Sequence, residues 1–227
     1  MIKGLLILLS SILLAGSAAA QFNPISFRNI SINEGLSQSS VVDIAIDSIG
    51  FLWFATQDGL NRYDAKEFLV FKKNFDDFTT ASGSTTGKLA IGNRNDLWII
   101  TSGGRLERMN LYDQTIIKVP MLNRTELPPV SCVFPDKDHL WIGTESNGLF
   151  IYNLDTKELV HHSTESASLS GDQIQEIYKD QAGRMWILTE NGLSVFDNLK
   201  VSSHKFLRSE KGSKKTTSCS SVAQDSK

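Results

Sequence analysis

FLWFATQDGLNRYD, residues 51–64, is one copy of a pattern that returns along the whole chain. The only four tryptophans are separated by 45, 43 and 45 residues: Trp53, Trp98, Trp141 and Trp186. A threonine stands three places after each of them: Thr56, Thr101, Thr144 and Thr189. A glycine follows six or seven places after each tryptophan: Gly59, Gly104, Gly148 and Gly192. This spacing indicates a structural repeat of 43 to 45 residues.

Each repeat is predicted to contain a β-hairpin around its glycine. The dipeptides Asp58-Gly59, Asn147-Gly148 and Asn191-Gly192 accept positive φ at low cost, as a tight turn between antiparallel strands requires. The tryptophan strand forms the first arm, and a segment rich in β-branched and aromatic residues forms the second. In the second repeat Arg105 stands where the other repeats have leucine, so that hairpin is expected to shift register or to face solvent.

Two further strands complete each repeat. A strand ending near an aspartate precedes three of the tryptophans, at 41–46, 130–134 and 174–178, and a fourth strand follows every hairpin, at 68–71, 116–119, 159–162 and 201–206. Four antiparallel strands in each of four repeats predict an all-β fold, a β-propeller of about four blades. A β-sandwich is the alternative, although sandwiches show turn spacing without a fixed long period. The tryptophan is interpreted as a residue that packs between blades.

The composition is that of an ordinary globular protein. The chain has 227 residues, 41% hydrophobic and 21% charged, and a formal net charge of −2. A charge this near zero, without a basic block in the repeats, argues against nucleic acid as a partner. Residues 1–20 combine a positive start, an apolar run and small residues up to Ala20, which predicts a signal peptide and a periplasmic or secreted product. Cys132 and Cys219 do not form a disulfide framework.

GLSQSSVV, residues 35–42, followed by D-x-x-GFLWFATQDGLNRYD at residues 47–64, resembles the two-component regulator propeller repeat. The likeness covers roughly residues 25 to 206. It implies the extracytoplasmic sensor region of a bacterial signalling receptor, which in its intact form also carries a membrane helix and a cytoplasmic histidine kinase or diguanylate cyclase. The implied repeats span 21–207, in units of about 33–76, 77–122, 123–166 and 167–207.

The blades are expected to form an incomplete ring. Residues 25–32 read as an extra strand ahead of the first repeat, and the last repeat already has its own fourth strand, so the extra strand is left without a place. Residues 208–227 read as a disordered polar tail. We therefore expect a truncated member of the family, without membrane helix or output domain; a closed four-bladed ring is the alternative.

Few residues suggest chemistry. His161 and His162 are adjacent, and neighbours on a strand point to opposite faces, so they are poor ligands for one metal ion. Asp47, Asp136 and Asp180 occupy related places in their repeats and could bind calcium together, although turn stabilisation is the preferred interpretation. No catalytic motif occurs, and neither a metal nor a cofactor is expected.

The preferred function is a non-catalytic sensor module that binds a small molecule or an oligosaccharide. An exported propeller scaffold that binds protein or carbohydrate, and a propeller lyase or hydrolase, are the alternatives. A ligand is expected among the loops between strands, first at the variable loops 72–87 and 123–129. Self-association through an open blade face is also expected.

Overall fold

The computed structural model describes residues 26–71, 86–101, 103–119, 127–166, 169–197 and 200–205. The chain divides into a short unit up to Ile30 and the repeat-containing body from Ser31 onward. Residues 26–30 have no regular secondary structure. Several sequence predictions lie outside the described residues: the signal peptide, residues 72–85 and 123–126 of the variable loops, the tail, and Cys219.

Within these described ranges, sixteen strands form four separate sheets of four strands each, in sequence order. Blade 1 consists of β1 (Val41–Ile46), β2 (Leu52–Thr56), β3 (Gly59–Tyr63) and β4 (Phe68–Phe71). Blade 2 consists of β5 (Thr86–Gly92), β6 (Asp96–Thr101), β7 (Leu106–Asn110) and β8 (Ile116–Lys118). Blade 3 consists of β9 (Val130–Asp136), β10 (His139–Thr144), β11 (Leu149–Asn153) and β12 (Leu159–His162). Blade 4 consists of β13 (Ile174–Lys179), β14 (Met185–Thr189), β15 (Gly192–Asp197) and β16 (Lys200–Lys205).

Every pair of neighbouring strands within a blade is antiparallel, so the predicted hairpins and outer strands are confirmed. The second strand of each blade is a short apolar run bounded by turns, as a strand buried on both faces requires. All six residues of β6, DLWIIT, are buried.

The first strands of the blades lie next to one another in sequence order. β1 contacts β5, β5 contacts β9, and β9 contacts β13. Two hydrogen bonds join these inner strands directly: the Leu89 amide donates to Asp43 Oδ2 at 2.8 Å, and Ser131 Oγ donates to the Ile174 carbonyl at 2.6 Å. No comparable contact joins β13 to β1 in the described part of the chain. The blades therefore form an open ring, as the sequence predicted.

Each blade has a face that carries its tryptophan, called the tryptophan face, and an opposite face. The tryptophan face of blade 1 carries Trp53 and Leu60, and the opposite face carries Ile44 and Phe54, because directly paired residues share a face. The core consists of three buried clusters, each formed by the tryptophan face of one blade and the opposite face of the next. In the cluster between blades 1 and 2, Trp53 and Leu60 meet residues of β6 and β7: Leu97, Ile99 and Met109.

The burial of the four tryptophans follows this arrangement. Trp53, Trp98 and Trp141 are 1%, 2% and 5% exposed, and each packs against the following blade. Trp186 is only half-buried, because no described blade follows it. The geometry thus agrees with the interpretation of tryptophan as a residue between blades.

The predicted extra strand ahead of the first repeat is wrong for its described residues. Residues 26–31 have no regular structure, and Ile32–Glu34 forms one turn of 3-10 helix. Ser31 and Glu34 cap this turn reciprocally, with the Ser31 amide donating to Glu34 Oε2 at 2.7 Å and the Asn33 amide to Ser31 Oγ at 3.2 Å. The Ser-x-x-Glu capping pattern overrides the apolar alternation that suggested a strand.

The structure agrees with the expectation for the hairpin at Arg105. Trp98 pairs with Arg108, ten residues later, whereas Trp53 pairs with Arg62, nine residues later. Leu106, not Arg105, takes the position of the other leucines, pairing with Ile100 as Leu60 pairs with Ala55. Arg105 is exposed in a longer turn, in which Gly103 and Gly104 adopt φ of 96° and 72°.

Candidate functional site

The threonine of every repeat shapes the turn between the second and third strands. Its hydroxyl donates to the carbonyl that begins the returning strand: Thr56 to Gly59 at 2.9 Å, Thr101 to Arg105 at 3.4 Å, Thr144 to Gly148 at 2.8 Å and Thr189 to Gly192 at 3.0 Å. In blades 1, 3 and 4 the hydroxyl also accepts a turn amide, from Asp58, Asn147 and Asn191. These turns define one end of the blades, the threonine end. The sequence showed the regular threonine but not this role.

Blades 1 and 4 add a serine to this arrangement. Ser37 Oγ lies 3.0 Å from Thr56 Oγ1, and Ser170 Oγ lies 3.0 Å from Thr189 Oγ1. Both serines follow a buried leucine, Leu36 or Leu169, in the segment leading into the inner strand. Sequence reasoning did not assign a role to this Leu-Ser pair. The dipeptide recurs at 36–37 and 169–170, and that repetition was the available signal.

The repeat glycines allow tight turns, and they also allow neighbouring backbone segments to lie close to them. Gly59, Gly104 and Gly148 have positive φ, whereas Gly192 is not among the glycines with that backbone and instead begins β15. The predicted positive φ is therefore not found at Gly192, although Gly192 pairs with Thr189 as Gly59 pairs with Thr56. At Gly104 an added Cβ would lie 2.7 Å from Pro129 Cα, since the Val130 amide donates to the Gly104 carbonyl at 2.8 Å.

Two of the three repeat aspartates stabilise turns and hold a tryptophan. Asp47 Oδ1 accepts the amides of three turn residues at 3.0 Å (Ile49, Gly50, Phe51), and its Oδ2 accepts the Trp53 indole N–H at 2.8 Å. Asp180 likewise accepts the Trp186 indole at 2.8 Å and the Arg184 amide at 2.9 Å. The indole bond, followed by the bonds from Arg184, lowers the pKa of Asp180 to about 2.

Blade 2 departs from this pattern. Gly92 stands where blades 1 and 4 have the aspartate, six residues before the tryptophan. The Asp96 carboxylate, held at 2.9 Å by Arg108 Nε, occupies the space that a Cβ on Gly92 would take. Blade 3 differs again, because Asp136 Oδ1 accepts from Lys179 Nζ of blade 4 at 2.6 Å. The three aspartates predicted as a possible calcium set are thus engaged in separate contacts.

The two adjacent histidines occupy different surroundings. His161 is exposed, stacks on Phe150 with ring centroids 4.3 Å apart, and has its Nε2 2.6 Å from the Asn147 carbonyl. His162 packs edge-on against Phe196, and burial lowers its pKa. Their side chains point to opposite faces, as predicted. No group of three or more His, Cys, Asp or Glu side chains within the described residues is arranged to hold a metal ion.

At the end opposite the threonines, one arginine joins blades 2 and 3. Arg94, in the turn between β5 and β6, contacts Asp155 at 2.7 Å and Asp138 at 2.8 Å. The two carboxylates raise the pKa of the guanidinium, and Arg94 in turn lowers the pKa of Asp155. This contact joins neighbouring blades at that end.

Polar side chains gather on the inner strands near the threonine end. In each inner strand one residue pairs directly with the tryptophan of the second strand. The residue two places before it is Asp43 in blade 1, Lys88 in blade 2, Cys132 in blade 3 and Glu176 in blade 4. Lys88 is exposed, and Asp43 and Glu176 are half-buried. Burial raises the pKa of the Cys132 thiol to about 11; Lys88 has a smaller lowering effect and Glu176 a smaller raising effect.

This inner polar set (Asp43, Lys88 and Glu176) offers hydrogen-bond donors and acceptors but no activated nucleophile. The Cys132 thiol remains protonated at neutral pH because of its raised pKa. Carboxylate and ammonium groups on rigid strands are suited to bind hydroxyl or carboxyl groups of a ligand. The site therefore has the chemistry of recognition.

The family model for the two-component regulator propeller matches residues 35–58 and 168–191. The histidine kinase P4 of Formosa agariphila is 45% identical over 69 residues, which are 30% of this chain and 5% of the kinase. This chain thus spans a small part of the length of that relative.

Solved structures with a similar fold include extracellular domains of bacterial proteins. The extracellular domain of a protein described as a hybrid two-component system of B. thetaiotaomicron superposes with a TM-score of 0.66 at 22% identity, over 78% of this chain and 26% of that one. A second extracellular domain from that organism gives a TM-score of 0.63 at 22% identity, over 78% and 27%. At this identity the likeness shows the propeller fold. None of the helices in the described part is long and apolar enough to cross a bilayer.

Proposed function

Because the chain carries repeats of the two-component regulator propeller family, we propose that it is the ligand-sensing module of a two-component-type signalling receptor. The family match at residues 35–58 and 168–191 is the observation that carries this proposal. The similar fold of the extracellular domain described as part of a hybrid two-component system supports it. In such a receptor the propeller binds the ligand, and a separate domain performs the phosphotransfer.

The same proposal places the propeller outside the cytoplasm. Residues 1–20 direct export, with cleavage near Ala20. A fusion of residues 1–30 to alkaline phosphatase, which is active only after export, should be active. Replacement of Leu8 by Arg within the apolar run should abolish that activity, and an unchanged activity would contradict the assignment.

The ligand binds at the threonine end, on the inner polar set. Asp43 and Glu176 accept hydrogen bonds from hydroxyl groups, and the exposed ammonium of Lys88 donates to hydroxyl or carboxylate oxygens. An oligosaccharide or a small hydroxylated acid has this complementary chemistry. The role is binding without turnover.

The test is a binding screen on the whole chain. Thermal-shift measurements against a panel of soluble oligosaccharides and hydroxy acids should identify a ligand, and calorimetry then gives its affinity. Lys88→Met and Glu176→Gln should each weaken binding about tenfold, the loss of one charge-assisted hydrogen bond. Lys66→Met is the matched control, since Lys66 lies in the exposed β3–β4 turn at the other end of blade 1.

Two results would contradict the proposal. If no member of the panel raises the melting temperature, the sensing role loses its basis. If a ligand binds equally well to the Lys88 and Glu176 variants, the site lies elsewhere. Conversion of the ligand during calorimetry would favour the enzymatic alternative.

A further inference from the structure

The inner strand of blade 1 exposes a row of apolar side chains. Val42, Ile44 and Ile46 alternate along β1 on the opposite face of the blade and are 53%, 55% and 62% exposed. Such a row of large aliphatic side chains on a folded surface is typical of an interface.

The equivalent positions in the other blades are covered. Ile44 pairs with the residue that directly follows Trp53. In the other blades the inner-strand residues that pair with the residue after the tryptophan are Leu89, Val133 and Ile177. Each of these three packs in the cluster formed with the tryptophan face of the preceding blade. The position is therefore built to be covered by a tryptophan face, and in blade 1 it is exposed.

The tryptophan face of blade 4 is the complementary surface. Its Trp186 is half-buried and belongs to none of the three clusters, whereas Trp53, Trp98 and Trp141 each pack against the next blade. Within one molecule these two end faces do not meet, because β13 and β1 make no contact comparable to those between successive inner strands of the described residues.

We propose that the opposite face of blade 1 binds the tryptophan face of blade 4 of a second copy of this chain. The contact continues the series of three blade–blade interfaces already present, with Ile44 and Ile46 covered by the partner's Trp186. In a twofold arrangement each copy supplies both faces, so two such contacts form and eight blades surround one axis, within the range of known propellers. The proposal concerns assembly and does not depend on which ligand the propeller binds.

The first test measures the oligomeric state of the whole chain by light scattering over a range of concentrations. A mass of twice the monomer is expected. Ile44→Lys should weaken dimerisation about tenfold or more, because it places a charge at the centre of the contact. Val160→Lys is the matched control: Val160 is an aliphatic residue of the outer strand β12, is 52% exposed, and lies outside the proposed contact.

The second test identifies the partner surface. Trp186→Lys should also give a monomer. Ser202→Lys tests the same face with less risk to folding, because Ser202 is exposed. Ser202 pairs with Val195, which in turn pairs with Trp186. An equal mixture of the Ile44 and Ser202 variants should regain dimer, because one intact contact forms between them.

The outcomes separate the proposal from its rivals. A wild-type monomer at all concentrations overturns it and favours a ring closed by the chain's own blades. A dimer that Ile44→Lys disrupts but both blade 4 variants leave intact also overturns it, because blade 1 would then bind blade 1 of the partner.

Discussion

At the scale of single residues, the tryptophans show how one residue type meets different surroundings. Trp141 lies between blades 3 and 4, with its ring edge-on to Phe196 at a centroid distance of 5.3 Å. Trp186 has the same acceptor as Trp53, an aspartate six residues earlier, but no blade follows it in the described part of the chain. The stability contribution of an identical sequence position therefore depends on its place in the array.

We expect Trp141→Ala to lower the free energy of unfolding by about 3–5 kcal/mol, the cost of removing a large buried aromatic side chain. Trp186→Ala should cost less than about 2 kcal/mol, because its ring is half-buried. Urea denaturation of both variants measures the difference, with His161→Ala as an exposed control. Equal losses at the two tryptophans would contradict the assigned packing.

The Asp180 carboxylate makes part of the stability dependent on pH. Its pKa is lowered from 3.8 to about 2 in the folded chain, first by the Trp186 indole and then by Arg184. The folded state thus binds a proton less readily than the unfolded state, so this contribution is complete above about pH 4 and is lost as the pH falls towards 2. Trp186→Phe keeps a ring but removes the donor, and should raise the pKa of Asp180 in a carboxyl NMR titration. An unchanged titration curve would show that the indole bond is not its main cause.

At the scale of elements, the turns at the two ends of the blades depend on glycines that differ in what surrounds them. Gly148 has φ of 76°, and a Cβ there would overlap the carbonyl oxygen of His162 on β12. Gly183 has φ of 85°, but its Cβ would point into open space. The positive φ favours glycine at both positions, but only at Gly148 would a Cβ also clash with a neighbouring strand.

Gly183→Ala should therefore cost about 1–2 kcal/mol, the strain of a left-handed residue with a Cβ. Gly148→Ala should cost about 1–3 kcal/mol more, since the turn must also move away from β12. Thermal unfolding of the two variants provides the comparison. A Gly148 variant as stable as the Gly183 variant would mean that the turn yields without loss.

Many strands could be predicted from the sequence because their signals are local and repeated. Trp53, Thr56 and Gly59 recur with a fixed spacing, which identifies the hairpin in every unit without any knowledge of packing. The inner strand β5 was missed because Gly92 replaces the aspartate that marked the other inner strands. Asp96 fills the space that a side chain at position 92 would occupy beside Trp98, and this exchange is visible only in the structure.

The candidate site was harder to predict than the fold. Asp43, Lys88 and Glu176 are far apart in the sequence and of unlike charge, so no motif connects them. They occupy equivalent positions on three inner strands, and the β-bulges near the start of these strands set their register. The two variable loops that sequence reasoning favoured lie largely outside the described residues.

At the scale of the whole molecule, stability should vary along the array. Blades 2 and 3 are packed on both faces, whereas blades 1 and 4 each have one face without a neighbour in the described part of the monomer. Because the energy of a repeat array is approximately a sum of unit and interface terms, the end blades should open more readily.

Amide hydrogen exchange of the monomeric Ile44→Lys variant checks this expectation. Amides of β6 and β10 should exchange more slowly than those of β2 and β14, which occupy the same place in the end blades. Uniform protection across all four second strands would instead indicate that the blades open as one unit.

The pairing of a tryptophan face with the opposite face of the next blade also bears on how such genes change length. Since every junction joins the same two surfaces, unequal recombination that inserts or deletes one whole repeat in the coding DNA leaves each remaining junction compatible. Propellers of this kind can thus gain or lose members during evolution without the invention of a new contact.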